Sequence, residues 1–370
     1  MGTTVGIGIV GTGVISGQYL DTFARTPALE VVGVADIDRD RAQAVAAERG
    51  LAAVGVAELL ADPRIAIVVN LTVPAVHAAL DRQILHAGKH VYAEKPLALT
   101  FADGTKVLSD AARAGLRVGS APDTFLGSGI QSAAALVRSG RLGEVFAASA
   151  LWGAAGPELW HPNPDFLFRP GAGPVLDMGP YYLTALVQLL GPVVSVEART
   201  IRTRRERQVG QGPRAGEPVA IEVPTHAAAI LRHASGALST VTLSFETWGR
   251  VEPYFELNGT EGSLRVPDPS HFDGAGLVYE ARGVRDSDQE ARVEWRPVPR
   301  AAGFADSGRG IGVLDMAEAI AEGQPHRASG GLALHVLEIM EAISASDGAS
   351  VALRTTAEPA PIMELRQLGT

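Results

Sequence analysis

The chain contains no cysteine, which excludes disulfides, thiolate nucleophiles and cysteine-ligated zinc or iron–sulfur centres. Any acid, base or nucleophile must be another residue type. A basic excess is also missing. The formal charge is −9 at pH 7, which argues against general binding to nucleic acid or an anionic membrane, since both need a positive footprint. The longest apolar tract, Tyr181 to Val196, is interrupted by Thr184, Gln188, Gly191 and Pro192. It falls short of the roughly 20 unbroken residues of a membrane span and reads as a buried helix followed by a strand. Met1 to Val10 has no basic stretch ahead of its apolar run and no small-residue cleavage pattern after it, so no secretion signal is expected and the expected location is cytoplasmic.

What is present is enough apolar material, 46% of 370 residues, to bury two cores at roughly 100 to 200 residues per domain. Over the first 120 residues short β-branched runs alternate with helical patterns, which predicts right-handed βαβ units around a parallel sheet. The strands are expected at Val5–Val10, Val31–Ala35, Ile65–Leu71, His90–Ala93 and Leu116–Gly119. Helices fit between them at Ile15–Arg25, Arg39–Arg49, Val76–Ala87 and Phe101–Ala114. After Asp123 a helical stretch, Ser128–Ser139, gives way to spaced strands and long Gly/Pro loops, the texture of an α+β domain. Those strands are expected at 145–152, 193–202, 225–232, 238–245 and 254–257, with hairpin turns at 233–236 and 258–262. The predicted fold is therefore α/β plus α+β. A Rossmann domain, 1–124, precedes a domain, 125–370, built on a large open, mostly antiparallel sheet, and the last helices, 312–321 and 332–345, are expected to pack back on the first domain.

The run Val5 to Ser16 places Gly11, Gly13 and Ser16 at the G-x-G-x-x-G/A spacing, directly after a strand and opening a helix. Gly11 permits the tight turn, Gly13 lets the backbone approach a pyrophosphate, and the small Ser16 lets helix and sheet come close. Twenty residues beyond Ser16 stands Asp36, where a carboxylate meets adenosine ribose hydroxyls and opposes a 2′-phosphate. This favours NAD over NADP, although Arg39 is close enough in sequence to weaken the argument.

Glu94-Lys95-Pro96 follows the strand His90–Ala93, on the carboxyl edge where ligands of open α/β sheets bind. Here the chain resembles the Gfo/Idh/MocA family of oxidoreductases, in which this element supplies the catalytic lysine. Thr72-Val73-Pro74 with His77 is similar to the family's cofactor-contacting Thr-Pro-Pro and His pattern, with Val73 replacing a proline. Independently of the resemblance, polarising a carbonyl or holding an alkoxide calls for a cation beside the nicotinamide, which is the role expected of Lys95. The expected cofactor shell is Gly11, Thr12, Gly13, Val14, Ile15, Asp36, Ile37, Arg39, Leu71, Thr72, Val73, Pro74, His77, Glu94, Lys95, Pro96 and Asp123.

The stretch Gly171 to Tyr182 resembles the family's Gly-rich approach to Asp-x-Gly-x-His. Asp177 and Gly179 match, and Tyr181 stands where histidine is usual, as it does in some members. Four residues apart, Asp177 and Tyr181 share a helix face. A phenol with a reference pKa of about 10 needs help to relay protons near neutrality, and Lys95 would supply it by stabilising the phenolate. Upstream, Trp160, His161, Asn163 and Asp165 combine an aromatic face with hydrogen-bonding tips, which suits a polyol; Trp152 is a second candidate for stacking. Lys95, Asp123, Asp177 and Tyr181 complete the expected substrate shell.

No standard metal-ligand spacing occurs, so no metal site is expected. The basic run Arg202 to Arg207 reads as a solvated hairpin or a subunit contact. The resulting expectation is an NAD-dependent oxidation or reduction at a secondary alcohol carbon of a sugar, cyclitol or glycoside. Two alternatives share the motifs: a redox-cycling glycoside-cleaving enzyme, and a non-catalytic dinucleotide-binding regulator. The open sheet predicts a homodimer or homotetramer.

Overall fold

The first strand, β1 (Val5–Val10), is apolar throughout and buried along nearly its whole length, as a parallel strand covered on both faces must be. The computed structural model, which describes residues 4–249, 252–281 and 294–368, continues with α1 (Val14–Ala24), β2 (Leu29–Ala35), α2 (Arg39–Arg49), α3 (Val56–Ala61) and β3 (Ile65–Asn70). Then come α4 (His77–His86), β4 (His90–Ala93), α5 (Phe101–Ala114) and β5 (Val118–Ser120). The five strands pair in parallel in the order β2-β1-β3-β4-β5. The order reverses at β1, so the crevice beyond the carboxyl ends of β1 and β3 is the topological switch point. Local chemistry sets the helix ends. Asp38 accepts from Arg41 N at the start of α2 and Thr100 from Asp103 N at the start of α5.

The second unit opens with α6 (Ser128–Arg138), β6 (Val145–Gly153), α7 (Gly173–Leu190) and β7 (Val193–Ile201). It continues with β8 (Glu206–Gln208), β9 (Pro218–Ala220), β10 (His226–His233), β11 (Leu238–Ser244), β12 (Tyr254–Gly259), β13 (Gly262–Arg265), β14 (Leu277–Glu280) and β15 (Arg296–Pro297). The chain ends with α8 (Ile311–Glu322), α9 (Gly330–Ala345) and β16 (Val351–Ala352). Residues 1–127, 304–337 and 366–370 group as one compact unit, and 128–303 with 338–365 as the other.

Among the described residues the large sheet has nine strands, in the order β15-β14-β13-β12-β6-β11-β10-β7-β16. Only β6 and β11 pair in parallel. Helix α7 packs on β6, β10 and β11, where Ala150, Ala229, Leu231, Val241 and Leu243 are buried. On the opposite face Ile201, Ile230, Leu238 and Tyr254 are exposed. The parallel sheet and the large, mostly antiparallel one expected from the sequence are both present. Helix α3 and the short strands β8, β9, β13, β14, β15 and β16 were not foreseen as elements.

Candidate active site

The glycine turn lies at the end of β1. Gly11 has φ +102°, and a Cβ there would sit 2.6 Å from the carbonyl carbon and oxygen of Leu71, so only glycine fits. A Cβ on Gly13 would meet nothing within 4 Å, which leaves the backbone N–H groups at the α1 N-terminus open to an anion. Around this opening three apolar side chains from three successive strand-end turns face outward: Val14 and Ile37, both 99% exposed, and Val73. Apolar residues gathered at a switch point and left uncovered fit a flat ligand laid across them. Beside β2, Asp36, Arg39, Gln43 and residues 53–55 with Glu58 line a cavity of about 280 Å³, of a size for an adenine ring.

Asp36 is more heavily engaged than the sequence suggested. Its Oδ2 accepts from Thr12 N (2.7 Å) and Thr12 Oγ1 (2.9 Å), and its Oδ1 from Asp38 N (2.9 Å). Arg41, rather than Arg39, forms the ion pair, with Nη2 2.7 Å from Oδ1. Burial opposes ionisation here, but the hydrogen bonds from Arg41, Thr12 and Asp38 outweigh it and hold the carboxyl at about 2.

The next two turns hold Thr72 and Lys95. Asn70 Oδ1 accepts from Thr72 Oγ1 (2.6 Å) and Thr72 N (3.2 Å), while its Nδ2 donates to Asp81 Oδ1 (2.7 Å). Glu94, expected at the cofactor, is turned inward. Its Oε1 accepts from Tyr19 Oη (2.8 Å) and its Oε2 from Lys95 N (3.0 Å). Lys95 itself is half-buried, and the Lys95–Pro96 peptide is cis.

Asp123 requires a correction. Expected beside substrate or carboxamide, it is wholly buried, and Oδ2 accepts from Gly310 N (2.8 Å) and Gly312 N (3.0 Å). It caps α8, in the same unit. Burial pushes this carboxyl up to about 6 against those two N–H groups and the Arg309 charge.

In the second unit, Asp177 and Tyr181 lie one turn apart on α7, Asp177 half-buried and Tyr181 buried. Pro180 between them has no N–H to give to the Leu176 carbonyl. The loop before α7 is built around Arg207. This residue is buried, with a side chain 2% exposed against 3% for Glu158, and is the exception in a basic run expected to be solvated. Its Nη1 donates to Glu158 Oε1 (2.5 Å) and Ala155 O (2.9 Å), and its Nη2 reaches Glu246 Oε2 (2.7 Å) and Phe245 O (3.0 Å). Gly156 makes room: at φ +115° its Cβ would fall 2.2 Å from Arg207 Nη1.

At the tip of this loop Trp160 and Phe166 are exposed, and both meet His161 edge-on, with centroids 5.6 and 5.2 Å away. His161 Nδ1 accepts from Asn163 N (3.0 Å). Asp165 is paired with Arg214 (2.5 Å), whose hydrogen bond lowers its pKa against the effect of burial. Trp152 packs edge-on against Phe245. Sequence reasoning missed Arg41, Asn70, Asp81, Arg207 and Arg214, because the partner that makes each of them matter is distant in the chain or hidden by a polar pattern.

Among the described residues no group of three or more His, Asp or Glu is placed to hold a metal ion, and no helix is long and apolar enough to cross a membrane. A parallel sheet with a glycine turn and a carboxylate at its switch point, followed by a second unit on an open sheet, defines a two-domain dinucleotide-dependent enzyme. The chain belongs to the Gfo/Idh/MocA oxidoreductases. Residues 5–121 match that oxidoreductase family's NAD-binding Rossmann fold and residues 130–265 its C-terminal domain, and the protein is an NAD-dependent oxidoreductase.

Over 293 residues it is 29% identical to a dTDP-3,4-didehydro-2,6-dideoxy-alpha-D-glucose 3-reductase of Streptomyces violaceoruber, covering 78% of this chain and 79% of that protein. It is 27% identical to a 1,5-anhydro-D-fructose reductase of Ensifer adhaerens, over 70% of this chain and 74% of that one. In fold it is similar to levoglucosan dehydrogenase in complex with NADH and L-sorbose. The TM-score is 0.81 over 96% of this chain and 100% of that one, at 21% identity.

Proposed function

We propose that this enzyme moves a hydride between NAD and a secondary alcohol carbon of a sugar, cyclitol or glycoside, with Lys95 polarising the reacting oxygen. The observation that carries this reading is the seat of Lys95. It stands at the carboxyl end of β4, in a turn whose Pro96 carbonyl is tied through His77 to the Thr72 turn beside the switch point. The relatives are named for reactions on a deoxysugar and an anhydrosugar, which supports the substrate class. Bound NAD supplies the hydride acceptor or donor. The chain's own part is to hold a cation against the oxygen that becomes alkoxide or carbonyl, and to move its proton.

That proton is assigned to Tyr181, and the positioning of substrate to Asp177. Trp160 offers an apolar face, His161 and Asn163 offer hydrogen-bonding tips, and Asp165 reaches a hydroxyl only in competition with Arg214. A screen of polyols, inositols and glycosides with NAD, followed by absorbance of the reduced nicotinamide, tests the reading; no turnover on any of them would sink it. Tyr181→Phe removes one hydroxyl and is expected to cost about 100- to 10,000-fold in turnover, the range for one positioned acid–base group. It is also expected to remove a limb of the pH profile. Turnover within threefold of wild type, with chemistry rate-limiting, would reassign the proton.

The exposed sheet face supports association into a homodimer or homotetramer. Ile201, Ile230, Leu238 and Tyr254 lie on it, above a shallow cavity of about 380 Å³ lined by Ala228, Ile230, Thr240 and Thr242, and such a patch calls for a cover. Light scattering is expected to find the oligomer at micromolar concentration and a smaller species for Ile230→Lys; a wild-type monomer would refute it. The expected location remains the cytoplasm, with cell fractionation as the check.

A further inference from the structure

A single ring joins the Thr72 turn to the Lys95 turn. His77, at the start of α4 and 0% exposed, has Nδ1 2.8 Å from Pro96 O and Nε2 2.9 Å from Thr72 O. A carbonyl oxygen only accepts, and a neutral imidazole has one N–H and one bare nitrogen. With a neutral ring, one of these two contacts would set lone pair against lone pair at hydrogen-bond distance. Both become hydrogen bonds only when both nitrogens hold a proton.

We propose that His77 is a buried imidazolium that clamps the Thr72 turn to the Glu94–Pro96 turn and thereby fixes the position of Lys95. It is a positioning residue, since it meets backbone carbonyls and not reacting atoms.

A buried cation needs a balancing charge, and the groups around it are few. On α4 itself Asp81 lies one turn on, fully buried. Its Oδ1 is held by Asn70 Nδ2, and its Oδ2 has no hydrogen-bond partner among the described residues. The same Asn70 amide donates to the backbone carbonyl of His77 at 3.4 Å, so one strand-end side chain meets α4 at both positions. From the turn after β4 the charged neighbours are Glu94, occupied by Tyr19 and Lys95 N, and Lys95; the segment from Leu71 to Val76 contains no titratable side chain. Burial pushes the Asp81 carboxyl up to about 7, against the hydrogen bond from Asn70, which lowers it.

The charge state stands independently of the proposed function, whereas its effect on turnover rests on Lys95 acting as described there. The test is a long-range ¹H–¹⁵N correlation spectrum of the full chain with labelled histidine at pH 7.5, the His77 signals being assigned by their loss in His77→Gln. Both His77 nitrogens are expected at protonated positions. A bare, acceptor-type His77 nitrogen at that pH would overturn the proposal.

Glutamine can donate to one of the two carbonyls but cannot span both. His77→Gln should therefore lower kcat by about 10- to 100-fold, the scale of a misplacement near 1 Å, with little change in KM for NAD. An imidazolium spectrum combined with wild-type kcat in the variant would refute the coupling to Lys95 while leaving the reading of Lys95 intact. Should the variant not fold, the wild-type spectrum decides, because the absence of any imidazolium-type nitrogen pair at pH 7.5 also overturns the proposal.

Discussion

Lys95→Ala is expected to reduce kcat by about a thousandfold or more while NAD affinity changes by less than about threefold. Removing one preorganised donor from a developing oxyanion costs about 100- to 1,000-fold, and a full charge in a water-poor site acts more strongly than a neutral donor. The two effects separate because they belong to different turns. The glycine turn, Asp36 and the cavity along Arg39 and Gln43 lie at the ends of β1 and β2, whereas Lys95 follows β4. Lysine to alanine also keeps the two backbone bonds of the turn, from Lys95 N to Glu94 and from Pro96 O to His77. The decisive measurement is single-turnover kinetics beside a fluorescence titration with NADH. Turnover within tenfold of wild type would remove Lys95 from the chemistry. A parallel collapse of NADH binding would mean that the turn, and not the charge, had been lost.

The largest effect on stability is expected at Arg207. Arg207→Met keeps the length of the side chain but leaves Glu158 a buried carboxylate without its cation and Glu246 without its closest one. Breaking one side of a buried pair costs about 3–5 kcal/mol, which chemical denaturation would read directly. The double change Arg207→Met with Glu158→Gln should recover part of the loss, because it removes the uncompensated charge; the two losses adding in full would argue against coupling. A cost below about 1 kcal/mol for the single change would show that the guanidinium only fills space over the Phe168 ring.

The sequence made the frame legible where the signal is local. The apolar run of β1 and the glycine spacing after it are decided within a few residues, so strand, turn and helix follow from chain-local physics. The same holds for the hairpin joining β10 to β11. Orientation was harder. Asp123 and Glu94 stand at the right ends of the right strands, yet both carboxyls turn inward, toward α8 and Tyr19, elements far away in sequence. Arg207 shows a second limit. It occupies the buried position of β8, but a pattern that sorts residues into apolar and polar reads it as surface, and only the approach of Glu158 and Glu246 makes burial affordable. The ion pair of Asp165 was beyond reach of the sequence, because Arg214 lies 49 positions on.

The bonds around Asp36 change what that residue means for cofactor choice. A carboxylate at the end of the second strand is usually treated as a discriminator, a charge that welcomes two hydroxyls and repels a phosphate. Here one of those two oxygens, Oδ2, also fastens the backbone and hydroxyl of Thr12, so the acid is a latch holding the phosphate loop to its neighbouring strand. Selectivity and loop order are thereby made inseparable at this position. A change of Asp36 made to admit the phosphorylated dinucleotide would therefore also release Thr12, whereas the Arg41 guanidinium reaches the carboxylate from the solvent side and supplies a charge that suits a phosphate.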